Sequence, residues 1–123
     1  MQTKKNLSES QIKNDPDPTV ELNDKPLQMH HFLTNKNKKY TPLFKNIVEK
    51  YGLDLNDQWN KELLPHLGRH PNEYHQWLLK ELQIIDMIPD MNQKLFLHYF
   101  EINIRQPIIN NPSMLYKQYW IRN

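Results

Sequence analysis

With 123 residues and 37% hydrophobic content, against about 45–50% apolar residues in a typical soluble domain, the chain has material for one small core and no more. It contains no Ala, so that core must come from Leu, Ile and aromatic residues, and no Cys, which excludes disulfides, cysteine nucleophiles and thiolate metal sites. A formal net charge of +2 is too mild to name a nucleic-acid partner, no apolar run approaches the ~20 residues of a membrane-spanning helix, and the charged N-terminus has no apolar stretch of a secretory signal.

From Met1 to about Asp24 the residues read as an unpacked leader or linker. Leu7, Ile12, Val20 and Leu22 follow no period, and Asp15-Pro16-Asp17-Pro18 disfavours helix. A single domain is expected over residues 25–123. Leu27 to Phe32 predicts a short extended segment ending at the pair His30-His31, followed by a polar, basic loop from Thr34 to Tyr40. Thr41-Pro42 offers an N-cap with Pro at the first helical position. Leu43, Phe44, Ile47, Val48 and Tyr51 then recur at helical spacing, and Gly52 suits a C-terminal cap. Leu53 to Gly68 is turn-rich, with a brief strand expected at Lys61–Leu64. His70-Pro71 repeats the cap-then-Pro signature and opens a helix whose apolar stripe is Tyr74, Trp77, Leu78, Leu82 and Ile85. Pro89 is expected to start a further helix through Ile104, and Pro107 to end it. Asn111-Pro112-Ser113 then begins a last turn or short helix through Leu115, Tyr119 and Trp120. The expected class is mainly α with a small β element.

Six histidines stand out in so short a chain, and five of them fall between His30 and His75. On a regular strand the rings of His30 and His31 point to opposite faces, so both serve one site only if the strand ends or bulges there. The second cluster is His66, His70 and His75. His75 lies inside the predicted helix, whereas His70 is its expected N-cap, outside the regular turn, which lets both face one ion. Imidazoles are the commonest neutral metal ligands, and at this density three or four can converge on one ion. Each cluster taken singly is equally a capping or packing feature. His98, among Phe96, Tyr99 and Phe100, reads as structural, and Trp77, Tyr119 and Trp120 as core or interface.

The stretch from Met29-His30-His31-Phe32 through Tyr40-Thr41-Pro42, then Asn60, then Gly68-Arg69-His70-Pro71-Asn72-Glu73-Tyr74-His75, resembles the AHH family of nucleases. The family belongs to the His-Asn-His (HNH)/endonuclease VII superfamily with the ββα-metal fold. The resemblance covers roughly Leu27 to Leu82, with Met29 where the family name records Ala. It implies a ββα-metal core followed by C-terminal helices. By the same resemblance His31 is the general base, and His30, His70 and His75 hold one divalent ion (Mg, Mn, Zn or Ni). Asn60 is the candidate for the superfamily's Asn, which orients the base by hydrogen bonding; a plain turn residue is the other reading of that position. His66 is a further ligand or a substrate contact.

The chemistry expected is metal-assisted hydrolysis of a phosphodiester, on DNA ahead of RNA. Lys36, Lys38 and Lys39 beside the doublet, Lys45 on the next helix and Arg69 beside His70 can each neutralise a backbone phosphate without reading bases. Arg69 is the strongest of these, since a guanidinium grips phosphate bidentately. The resemblance extends to toxin domains at the C-termini of bacterial polymorphic toxins, which implies a cognate immunity protein. The domain is then expected either in the cytoplasm or delivered by a specialised system within a larger toxin. Two other classes fit the same residues: a nucleic-acid-binding domain without catalysis, and a structural zinc domain in which the histidines close a four-coordinate site with no open position.

Overall fold

The computed structural model describes residues 26–65 and 69–121, so the stretch expected to be a leader, His66 and the two C-terminal residues lie outside the described residues. Leu27–His31 (β1) pairs antiparallel with Lys61–Pro65 (β2), His30 opposite Glu62 and His31 opposite Lys61. The alternation of the strand puts Gln28, His30, Glu62 and Leu64 on one face, with Leu64 buried, and leaves Leu27, Met29 and Leu63 exposed on the other. The doublet therefore sits where the strand stops. Phe32 and Leu33 turn directly into the core, both fully buried.

Tyr40–Val48 (α1) fills the connection between the strands, continued by a 3₁₀ turn Glu49–Tyr51 that ends at Gly52 in the left-handed region, as its C-cap position requires. The helix starts one residue before the expected Thr41 cap, because Asn37 does the capping. Its Oδ1 accepts from the Lys39 and Tyr40 N–H groups at 2.8 and 2.9 Å. Thr41 instead ties the loop to itself, donating to the Thr34 carbonyl and accepting from the Asn37 N–H. A 3₁₀ turn, Gln58–Asn60, leads into β2.

Asn72–Asp86 (α2) is the central helix, with Tyr74, Leu78, Leu82 and Ile85 fully buried along the predicted stripe. Each such side chain contributes about 1.5–3 kcal/mol by leaving water. The helix begins later than the cap-then-Pro reading placed it: Pro71 occupies the cap position and its carbonyl takes the Tyr74 and His75 N–H groups, leaving His70 one residue further out. Asp86, at the other end, accepts from Lys50 and from the Tyr51 hydroxyl, latching the end of α1 to α2.

Gln93–Phe100 (α3) does not start at Pro89. Asn92 caps it by accepting from the Leu95 N–H at 2.9 Å, and Pro89-Asp90 forms the turn before it. Nor does Pro107 end the helical rod. A π-helical segment, Glu101–Arg105, intervenes, the Gln106 N–H reaching the Glu101 carbonyl five residues back. That wider turn seats a proline without an N–H to donate, and the chain continues as Gln106–Asn110 (α4). Arg105 on this segment bridges Glu101 and, at 2.7 Å, Glu62 of β2. A 3₁₀ turn (Pro112–Leu115) and Lys117–Ile121 (α5) close the structure, with Trp120 near Trp77 and its indole donating to the Met114 carbonyl. The outcome is mainly helical with one small antiparallel sheet, the order β1, β2, α2 giving the ββα arrangement. Among the described residues no helix is long and apolar enough to cross a membrane.

Candidate active site

β1, the following loop and the start of α2 enclose a cleft of about 840 Å³. His30, His31, Lys36, Lys38, Arg69, His70 and His75 line it together with Gln28, Met29, Thr34, Asn35 and Asn37. The chain thus brings the doublet and two histidines some forty residues away to one place. His30 and His70 have ring centroids 5.4 Å apart, and His70 and His75 6.2 Å.

Each ring is held for a reason the local sequence supplies. His75, on the first turn of α2, is only 4% exposed and lies against Tyr40 (5.2 Å) and Phe44 (6.4 Å), the buried face of α1. Desolvation in that aromatic setting pushes its pKa below the ordinary 6.5, so it is a neutral imidazole at pH 7. Its Nδ1 is buried and makes no hydrogen bond among the described residues. His70 stands at 3.3 Å from the Leu115 carbonyl through Nδ1. A carbonyl can only accept, so Nδ1 carries a proton in this contact. Tyr74, between them in sequence, donates at 2.8 Å to the Phe32 carbonyl. Full burial pushes its phenol well above the usual range, so this pin between α2 and the residue after the doublet persists at any working pH.

His31 has a lowered pKa. Desolvation is the largest cause, the nearby Asn56 side chain opposes it, and the charges of Lys61 and Lys36 lower it further. The ring is therefore neutral at pH 7 and can accept a proton. Its Nε2 is buried and unpartnered among the described residues.

Asn60 differs from expectation in what it touches. It is fully buried and its carboxamide is spent on backbone: Oδ1 accepts from the Leu33 N–H (2.8 Å), and Nδ2 donates to the carbonyls of Leu33 (2.9 Å) and Leu55 (2.8 Å). Its own carbonyl accepts from the Phe32 N–H at 2.8 Å. It clamps the chain directly after His31 and does not bond the imidazole.

The basic residues divide. Lys36, Lys38 and Arg69 line the cleft, whereas Lys39 lies over the Tyr40 ring at 5.1 Å and Lys45 pairs with Glu49 at 3.9 Å. His98 is exposed against Tyr99, away from the cleft.

The donor set suits a metal ion in kind. Buried imidazole nitrogens without hydrogen bonds (His75 Nδ1, His31 Nε2) are groups that a ligand satisfies, and a His70 ring anchored to a backbone carbonyl through its other nitrogen is how metal-bound imidazoles are usually oriented. Two imidazoles on one tetrahedral ion place their centroids about 5 Å apart, close to the His30–His70 spacing. Among the described residues no three His, Asp or Glu side chains stand where they could hold a metal ion together.

One family model matches the chain, over residues 13–96: AHH, a nuclease family of the HNH/ENDO VII superfamily with conserved AHH. No curated protein and no solved structure matches.

Proposed function

Because the chain belongs to the AHH nuclease family of the HNH/ENDO VII superfamily, we propose that it is a metal-dependent endonuclease hydrolysing phosphodiester bonds of nucleic acid, with His31 as general base. The observation that carries this reading is the convergence of His30, His31, His70 and His75 on one cleft whose walls also carry Lys36, Lys38 and Arg69. His31, neutral at pH 7 and lining the cleft, takes the proton of an attacking water. Arg69 grips the phosphate oxygens, and Lys36 and Lys38 hold the flanking backbone. Asn60 and Tyr74 act through the backbone of Phe32 and Leu33, keeping the doublet in place.

His30, His70 and His75 are the residues that would hold one divalent ion, which when bound supplies charge stabilisation on the phosphate and leaving oxygen. Nitrogen donors favour Zn, Ni or Mn over Mg. Lys36, Lys38 and Arg69 on the cleft walls suit contacts to a phosphate backbone, and DNA is placed ahead of RNA as the substrate. The family resemblance also supports a toxin setting, with an immunity protein that closes this cleft.

Incubating the protein with plasmid DNA, and separately with RNA, in Mg, Mn, Zn or Ni tests the reading. Cleavage with at least one ion, abolished by chelator and restored by excess metal, is expected. Intact plasmid and RNA under every ion overturn it.

A further inference from the structure

Register and strand alternation place three cross-strand pairs on the outer face of the small sheet: Leu27 opposite Pro65, Met29 opposite Leu63, and His31 opposite Lys61. The first two pairs make an apolar ridge. Leu27 is 62% exposed and Met29 and Leu63 each 53%, whereas Leu64, on the other face, is buried in the core. Large apolar side chains held side by side in water are unfavourable, and a contiguous patch of them marks a surface that is covered in function.

Its neighbours indicate what covers it. The ridge runs into the pair that carries His31, and Met29 is the only apolar side chain lining the cleft among the described residues. No acidic side chain lines that cleft among the described residues, while Lys36, Lys38 and Arg69 do, and Lys61 stands at the end of the ridge. Cations around an apolar strip complement a polymer with charged phosphates outside and stacked bases within. The spacing agrees as well. Residues two apart on a strand are separated by about 6.8 Å, or two base-pair rises of about 3.4 Å. With the scissile phosphate at His31, the first base steps beyond it lie against Met29 and Leu63.

We propose that the Met29–Leu63 pair is an apolar wedge that enters the groove of duplex DNA beside the scissile phosphate and opens the base step there. The inference rests on the reading of His31 as the base of a nuclease, and extends it to how the substrate is held and chosen. Leu and Met side chains inserted from the minor groove partly unstack a step and bend the duplex. Unstacking is easiest at pyrimidine–purine steps, so cleavage favours them without any side chain reading a base edge.

The test is binding of the full chain, in chelator, to two short fluorescent DNA duplexes, one fully paired and one with a central mismatch. Wild type is expected to bind the mismatched duplex about 10-fold more tightly, because its step is already loosened. Met29→Thr/Leu63→Thr removes the ridge with residues that suit a strand. It is expected to bind both duplexes alike, with the wild-type slope of log K against log salt, since the phosphate contacts remain. Leu63→Thr alone, at an exposed position outside the cleft lining, is expected to reduce the preference about threefold, and reads the same effect if the double variant does not fold. Equal affinity of wild type for the two duplexes, or an undiminished preference in the folded variants, overturns the proposal. So does a wild-type dimer in sedimentation that the double variant abolishes while duplex binding is unchanged, which assigns the ridge to a second copy of the chain. Failure of the nuclease reading looks different: binding needs no cleavage, so the preference for the mismatched duplex persists while nucleic acid stays intact under every ion.

Discussion

Asn60→Ala is the substitution on which most of the site's architecture depends. It removes the side-chain hydrogen bonds to the Leu33 N–H, the Leu33 carbonyl and the Leu55 carbonyl, all in a fully buried environment. A typical intramolecular hydrogen bond contributes about 1 kcal/mol net, and each buried backbone group left without a partner costs about 1–3 kcal/mol. A small cavity adds to this, while water entering it recovers part. The expected loss is about 3–5 kcal/mol, against about 5–15 kcal/mol for the whole fold of a small domain. The fold therefore survives at low temperature, with a strongly lowered urea midpoint. Cleavage should fall even below that midpoint, because the segment that carries His31 loses its clamp. Asn60→Asp is expected to be no better at neutral pH, where a carboxylate faces two carbonyls and cannot donate, and to recover stability as the carboxyl protonates. Urea denaturation followed by circular dichroism reads both variants. A loss under about 1 kcal/mol for Asn60→Ala, with unchanged cleavage, would refute the reasoning.

The pH dependence of stability and the grip on substrate give further expectations. Burial lowers the pKa of His31 and His75 below 6.5 in the folded state, so as pH falls through 6.5 the unfolded chain takes up protons first. In metal-free protein the urea midpoint is therefore expected to be level from pH 8 to 7 and to drop between 6.5 and the lowered folded values; a midpoint flat or rising over that interval contradicts the burial argument. Arg69→Ala and Lys36→Ala each remove one phosphate contact, so binding to duplex DNA should weaken whatever the sequence. The slope of log K against log salt should fall by about 1 in each. Sequence-dependent losses would show that these residues read bases instead.

The paired histidine motifs made the cleft legible because the chemistry is written in residue types the rest of the chain hardly uses. His30, His31, His70 and His75 line one cleft, and Tyr74, Leu78, Leu82 and Ile85 bury the predicted stripe of α2. What stayed hidden depends on partners far along the chain. Asn60 and Asn56 look alike as turn residues. One clamps backbone 27 residues away and the other bonds Asn35 in the loop after β1, and spacing cannot separate them before the fold is known. The missed caps have a different cause. Asn37 and Asn92 outcompete Thr41 and Pro89 because their side-chain oxygens reach N–H groups two or three residues on. Pro107 misled by a sound local rule, since a π turn absorbs the missing N–H.

The central claim is that His31 is the base of a hydrolytic site, and single-turnover cleavage by His31→Ala tests it most directly. The variant should keep the wild-type circular dichroism and metal affinity while losing cleavage about 10²- to 10⁴-fold, the usual contribution of a positioned general base. Cleavage at the wild-type rate by a folded His31→Ala protein would contradict the account.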